Sequence, residues 1–321
     1  MKLSDCSVEE QRQLMQLQQR IGRAHLCHRL ALEGEHEAHV FRNGTHFFHV
    51  ENWFSSHSLI RATLKLVGLH ERGQRNALRI QLRRQELSLP TLPRSFDGYT
   101  LLHLSDLHLD VGEAFVSHLI DRVRALEYDA CVLTGDYRFR TFGPHAPAMD
   151  ALRRLRAHLN GRVFAVLGNH DSIRMVPSME AMGIRVLLNE SVRLEREDRQ
   201  LYLAGIDDAH YFRTHGYHKA ADGIPPGACS ILLSHTPEAY RHAAHCGFDL
   251  MLCGHTHGGQ ICLPGGIPVL TDADAPRNYA RGAWRYEQML GYTSVGCGTS
   301  IVDVRLNCLP EVTLHRLRCA S

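Results

Sequence analysis

Five short polar motifs between residues 105 and 260 are rich in the side chains that bind metal ions. Their sequences are Ser-Asp-Leu-His at 105–108, Thr-Gly-Asp-Tyr at 134–137, Gly-Asn-His-Asp at 168–171, Leu-Ser-His-Thr at 233–236 and Gly-His-Thr-His-Gly-Gly-Gln at 254–260. A single Asp, Asn or His in a loop is common and indicates little. Five motifs that all supply carboxylate, amide or imidazole donors indicate a metal-binding catalytic site.

The first three motifs each follow a predicted buried strand. Apolar runs at 101–104, 130–133 and 163–167 predict strands, and apolar residues at helical spacing predict helices near 115–126 and 152–159. This β-α-β-α-β order is typical of an α/β sheet. Because ligands bind at the carboxyl ends of the strands in such sheets, we expect the motifs to converge.

Further short apolar segments follow Ile184 and predict more strands. They span 201–206, 230–233, 248–252, 292–295 and 312–317. The segments at 230–233 and 248–252 lead into the last two motifs. We expect these strands to form a second sheet that packs on the first.

The residues before these strands predict an N-terminal extension. Ser7 and Glu10 have the spacing of a capping box, in which each side chain accepts the other residue's amide, and a helix is predicted from there to about Leu32. Two prolines then separate the extension from the strands that carry the motifs. We place a mainly helical extension at 1–90 and the catalytic domain at 91–321.

Two other segments of the extension have clear patterns. Residues 78–89 alternate apolar and polar with one change of parity, which predicts a strand with a bulge or break near Arg84. Residues 58–72, which follow Trp53, predict an amphipathic helix whose apolar face docks on the catalytic domain. The alternative for this helix is contact with a membrane surface through basic residues and Trp53. The histidines of the extension lack regular ligand spacing, so no metal is assigned to them.

Composition argues against several classes of protein. The chain has 321 residues, of which 44% are hydrophobic, so we expect it to form a full hydrophobic core. Its net charge is only +2, so we expect no specific nucleic acid binding. The ten cysteines contain no Cys-x-x-Cys pair and no secretory signal precedes them, which predicts a cytoplasmic protein. No segment approaches the roughly 20 apolar residues that cross a bilayer, although peripheral membrane contact stays open. No protein partner is evident.

The ordered series Asp-x-His, Gly-Asp, Gly-Asn-His-Asp, His and Gly-His-x-His resembles the calcineurin-like metallophosphoesterase superfamily. The elements Gly-Asp-Tyr, Gly-His-Thr-His-Gly-Gly-Gln-Ile and Gly-x-Gly-Thr-Ser at 296–300 resemble a bacterial branch of membrane-associated phosphodiesterases and UDP-diacylglucosamine hydrolase-like enzymes. The resemblance implies an α/β fold with two packed mixed β-sheets flanked by helices, a four-layer αββα sandwich.

The resemblance also implies a ligand set and a mechanism. A first ion would be held by Asp106, His108 and His257, a second by Asn169, His235 and His255, and Asp136 would bridge the two. Mixed oxygen and imidazole donors suit two divalent ions such as Mn, Fe or Zn better than Ca or Mg. A hydroxide between the ions would attack phosphorus, with His170 as the general acid and Asp171 placed to orient it.

The predicted function is that of a dinuclear metal-dependent hydrolase that cleaves a phosphodiester or pyrophosphate bond, with a lipid-linked substrate as one option. Two alternatives stay open, a phosphomonoesterase and a non-catalytic metal-binding scaffold of the same fold. Because all seven ligand positions and His170 are filled, the scaffold is the weaker alternative.

Overall fold

The computed structural model describes residues 7–43 and 54–320. The α-helices are α1 (Val8–Ile21), α2 (Arg23–Asn43), α3 (Phe54–Leu66), α4 (His70–Ala77), α5 (Glu113–Val123), α6 (Ala146–Arg156), α7 (Val176–Ala181), α8 (Tyr217–Ala221) and α9 (Tyr240–His245). The strands are β1 (Gln81–Leu89), β2 (Thr100–Leu104), β3 (Ala130–Leu133), β4 (Arg162–Ala165), β5 (Ile184–Val186), β6 (Glu190–Arg196), β7 (Arg199–Gly205), β8 (Ser230–Leu233), β9 (Leu250–Cys253), β10 (Cys262–Leu263), β11 (Ile267–Pro268), β12 (Gly282–Tyr286), β13 (Met289–Thr293) and β14 (Glu311–Cys319).

The strands form two six-stranded mixed sheets and a short β10–β11 hairpin. The first sheet has the order β1-β14-β2-β3-β4-β5, and the second has the order β12-β13-β9-β8-β7-β6. In the first sheet β14 and β2 form the one antiparallel pair. In the second sheet each edge strand is antiparallel to its neighbour, β12 to β13 and β6 to β7, and the other pairs are parallel. The predicted α/β class with two mixed sheets is confirmed.

Both faces of the central strands are buried, which explains their continuous apolar runs. In β2, Leu101 belongs to the core between the two sheets, together with Leu203 and Ile231 of the second sheet. The next residue, Leu102, points the other way into a core shared with Leu119 of α5 and with other helices. Helices α8 and α9 cover the outer face of the second sheet. The layers are therefore helix, sheet, sheet and helix, as predicted.

The parity change near Arg84 has a different cause from the predicted bulge. Strand β1 pairs with β14 in parallel and in continuous register from Gln81 to Leu89. Its apolar residues change face along the strand, because Leu82 packs on the helix side while Leu87 lies between the sheets. The bulge prediction is wrong, and this strand of the extension is an edge strand of the first sheet.

The N-terminal extension packs on the first sheet through α1 and α2. Ser7 Oγ accepts the amide of Glu10 at 3.2 Å, as in a capping box, but the Glu10 carboxylate pairs with Arg174 rather than with the Ser7 amide. The single helix predicted to about Leu32 is interrupted at Gly22, whose φ of 93° favours glycine. Leu14, Leu17, Ile21 and Leu26 are buried in the helix-side core. Burial of each such side chain contributes roughly 1.5–3 kcal/mol.

The segment predicted as one amphipathic helix forms α3 and α4 with a break at Gly68. Leu64 is buried against Val302, Val304 and Leu306, which confirms docking for that side of α3. Other apolar side chains of the segment remain exposed, namely Leu59, Leu66 and Val67. Trp53 lies outside the described residues. Within the part of the chain that the structure describes, no helix combines the length and apolar character needed to cross a membrane.

Candidate metal centre

The five motifs meet at the carboxyl ends of β2, β3, β4, β8 and β9. Several residues there adopt the left-handed backbone conformation that is uncommon for residues other than glycine. They are Asp106, His108, Asp136, His255 and His257, with φ between 42° and 72°. This conformation costs roughly 1–2 kcal/mol per residue. Such strain is typical of functional sites, where the surrounding fold enforces the geometry.

The side chains of Asp106, His108 and His257 form one group. The Nε2 atoms of His108 and His257 lie 3.2 Å apart. His257 Nε2 is also 3.5 Å from Asp106 Oδ1. All three side chains are buried and their donor atoms lie within 4.8 Å of one another.

A second group contains Asn169, His235 and His255. His235 Nε2 lies 2.9 Å from Asn169 Oδ1 and 3.2 Å from His255 Nδ1. Asp136 lies between the two groups, since its Oδ2 is 3.4 Å from His235 Nε2 and 3.8 Å from His108 Nε2. The structure therefore brings together all seven residues that the family resemblance implies as ligands.

Backbone carbonyls outside the two groups fix the orientation of several rings. His108 Nδ1 donates to Arg138 O at 2.8 Å, and His235 Nδ1 donates to Thr134 O at 2.7 Å. Because the carbonyls accept the Nδ1 protons, the Nε2 atoms point into the centre. Metal-binding histidines are commonly held in this way.

Burial and charge perturb the carboxylates strongly. Burial raises the pKa of Asp106 to about 6, although His235 opposes the shift. Burial acts in the same direction on Asp136, but His235 and His170 hold the pKa of its carboxyl well below the ordinary value. A buried cluster of carboxylates and imidazoles is suited to divalent cations, which can supply the positive charge that the carboxylates need. The donor set therefore fits the metal ions that the resemblance implies.

Two glycines allow the carboxylates to approach the backbone. A Cβ on Gly168 would lie 2.2 Å from Asp136 Oδ1, and a Cβ on Gly254 would lie 2.3 Å from Asp106 Oδ2. These distances are far below a van der Waals contact. Both glycines are therefore required by the packing of the centre and not only by turn geometry.

His170 lies at the edge of the centre, where its Nε2 is 3.8 Å from Asp136 Oδ2. Its Nδ1 donates to the carbonyl of Phe139 at 2.6 Å. Asp171 has a different role from the one implied by the resemblance. Its carboxylate accepts the backbone amides of Asp136, Tyr137 and Gly168 at 2.7–2.8 Å. Asp171 therefore ties the His170 loop to the Asp136 loop, and Phe139 orients the imidazole.

Sequence reasoning missed other residues that contact the centre. Arg305 is fully buried and donates to His257 O and Gly298 O, with its Nη2 3.1 Å from His257 Nδ1. The ring of His210 lies 4.3 Å from that of His255, and its Nδ1 is 2.8 Å from Glu238 Oε1. Although burial opposes the shift, Glu238 raises the pKa of His210 to about 9. Neither residue belongs to a recognisable motif, so the sequence offers no signal for them.

Comparison with known proteins places the chain in a family. Residues 99–259 match the calcineurin-like phosphoesterase family. The chain belongs to that family, which uses divalent metal ions, and is a phosphoesterase.

Relatives cover most of the catalytic region. The metallophosphoesterase YkoQ of Bacillus subtilis is 30% identical over 68% of this chain and 83% of its own length. The phosphodiesterase YaeI of Escherichia coli is 29% identical over 68% of this chain and 82% of its own length. A transmembrane protein with a metallophosphoesterase domain from Bos taurus is 28% identical over 82% of this chain, which spans only 62% of that protein.

Proposed function

We propose that the enzyme hydrolyses a phosphodiester or pyrophosphate with two divalent metal ions. Asp106, His108 and His257 would hold the first ion. Asn169, His235 and His255 would hold the second, and Asp136 would contact both. The observation that carries the proposal is the convergence of seven buried donors in two groups joined by one carboxylate.

The donor chemistry favours transition-metal ions. Four of the seven donors are imidazoles, which suit Mn, Fe or Zn better than the all-oxygen shells of Ca or Mg. One ion with ordinary coordination could not use all seven donors. We therefore propose two ions per chain, with manganese among the candidates.

Divalent ions at this centre would supply a water-derived nucleophile and neutralise the charge that develops on the phosphoryl oxygens. His170 would protonate the leaving oxygen. Because His170 Nδ1 donates to Phe139 O, the proton that it transfers must be carried on Nε2, the nitrogen that faces the centre.

A phosphodiester is favoured over a phosphomonoester by the relative YaeI, which is a phosphodiesterase. A non-catalytic scaffold is disfavoured because no ligand position has been replaced. The test is a panel of mono-, di- and pyrophosphate substrates, assayed with metal-stripped enzyme that is refilled with one ion at a time. Full activity after prolonged treatment with a strong chelator would refute the proposal.

We also propose a cytoplasmic enzyme that touches membranes peripherally and accepts lipid-linked phosphoesters. Exposed apolar side chains occur on α3, directly after it, and near the hairpin that follows the last motif: Leu59, Leu66, Val67, Leu263, Ile267, Val269 and Leu270. Lys65 on α3 would meet anionic headgroups, whereas Arg61 pairs with Asp303 at 3.3 Å. The hairpin is adjacent to the centre, because a Cβ on Gly259 would lie 2.4 Å from Pro268 Cβ.

A further inference from the structure

Helix α2 contacts the loop that carries Asn169, His170 and Asp171, although it lies outside the residues that match the family. We infer that Arg29 and Glu33 of α2 are positioning residues for the reaction. They hold the loop so that His170 and Asn169 keep their places at the metal centre. The inference rests on the proposed role of His170 as the general acid.

Arg29 is completely buried and each nitrogen of its guanidinium has a partner. Nη2 donates to the backbone carbonyl of Asp171 at 2.8 Å, Nη1 to Asp207 Oδ1 at 3.2 Å and Nε to Glu33 Oε1 at 2.9 Å. The guanidinium carbon lies 3.6 Å from the centre of the Phe212 ring. A buried charge with this many fixed partners cannot shift without breaking several of them. The Asp171 carbonyl is thus held against a rigid support.

Glu33 holds the next two residues of the same loop. Its Oε2 accepts the Ser172 hydroxyl at 2.6 Å, and its Oε1 accepts the amide of Ile173 at 2.8 Å. Together with Arg29, α2 therefore fixes three consecutive residues directly after His170. Because the Asp171 carboxylate binds the amides of the Asp136 loop, this support extends to the residue placed between the two ligand groups.

The same helix also holds the loop that orients the imidazole. His36 Nε2 lies 3.0 Å from Thr141 Oγ1, and Glu37 Oε1 accepts the amide of Gly143 at 3.4 Å. This loop contains Phe139, whose carbonyl accepts the Nδ1 proton of His170. Both the general acid and the group that orients it are thus fastened to one helix of the extension.

Docking of the extension alone would not require these contacts, because α1 makes its own. Arg20, at the end of α1, pairs with Glu180 and with Glu190, which lie away from the metal centre. Arg20→Met therefore removes an ion-paired arginine of the same extension without touching the His170 loop. It is the matched control for Arg29→Met.

The experiment compares Arg29→Met, Arg29→Lys and Glu33→Gln with Arg20→Met in the full-length, metal-loaded enzyme. We expect Arg29→Met to lower kcat roughly 10–100-fold for a diester with an alkyl leaving group, the usual size of such outer contacts. With a nitrophenyl leaving group, which needs little protonation, the loss should be several-fold smaller. Arg29→Lys should recover part of the activity, and hydrogen exchange at residues 170–173 should accelerate only in the Arg29 and Glu33 variants.

The inference would be overturned if Arg29→Met lowered kcat equally for both leaving groups, or if Arg20→Met showed the same dependence on the leaving group. In either case α2 would serve only to dock the extension. Unchanged exchange at residues 170–173 in Arg29→Met and Glu33→Gln would also overturn it. His170→Ala is measured in parallel. If that variant shows no dependence on the leaving group, the proposed general acid is wrong, while the exchange data still decide whether α2 holds the loop.

Discussion

Gly168→Ala tests whether the geometry of the metal centre controls activity. The added Cβ would lie 2.2 Å from Asp136 Oδ1, 2.8 Å from the Asp136 amide nitrogen and 2.9 Å from His235 Cε1. An ordinary carbon–oxygen contact needs roughly 1 Å more, so the carboxylate or the loop must move by about that distance. A misplacement of about 1 Å can cost roughly 100-fold in rate, and overpacking costs roughly 1–3 kcal/mol of unfolding free energy.

The assay measures kcat/KM on a nitrophenyl phosphodiester, metal content by elemental analysis and the free energy of unfolding by denaturant titration. Gly112→Ala is the matched control, because its φ of 168° is extended and a Cβ there would meet no atom within 4 Å. We expect Gly168→Ala to bind less metal and to show a kcat/KM at least about 100-fold lower than that of the parent. Gly112→Ala should match the parent in metal content, kcat/KM and unfolding free energy. Activity within about threefold of the parent for Gly168→Ala would refute the packing argument.

Three further predictions concern other parts of the molecule. Asp136→Asn should abolish binding of both metals by removing the shared charge, whereas His170→Ala should keep its metals and slow turnover roughly 10²–10⁴-fold; loss of metal from His170→Ala would contradict its role as the acid. Leu66 is 88% exposed, so Leu66→Glu should abolish salt-sensitive flotation with anionic vesicles while hydrolysis of a soluble diester continues. Val8→Glu, at a residue 84% exposed on α1, is its control, and a parent protein that never floats would end the membrane proposal. Burial acts to raise the pKa of Asp207, but Arg29 holds that pKa below its ordinary value. The ionised Asp207 therefore stabilises the folded protein above about pH 4, and this contribution is lost as the pH falls. Between about pH 5 and 3 the parent should therefore lose more unfolding free energy than Asp207→Asn, and parallel losses in urea titrations would show that the ion pair contributes nothing.

The fold class and the composition of the centre could be predicted from the sequence because both depend on local patterns. Apolar runs such as 130–133 identified buried strands, and the motifs that follow them supplied the donors. Parallel strands end at the same edge of a sheet, so residues far apart in the chain had to meet there. No distance was needed for that conclusion.

Boundaries and faces were harder to predict because they depend on packing partners. The prediction of a single N-terminal helix was wrong because the helix is interrupted at Gly22. The pattern that predicted a bulge near Arg84 reflects a change of buried face along β1. A residue pattern records that a side chain is buried but not which layer buries it. The role expected for Asp171 failed for the same kind of reason, since backbone amides of another loop compete for its carboxylate.

The sequence by itself determined which chemistry the chain can perform, because donor types and their positions after strands are written in the motifs. Only the tertiary structure decided what holds those donors in place. Arg29, Glu33 and Arg305 lie outside every motif and act through buried or partly buried hydrogen bonds with backbone carbonyls, amides and hydroxyls from distant parts of the chain. Such contacts depend on how the backbone folds rather than on residue type, so no sequence pattern predicts them.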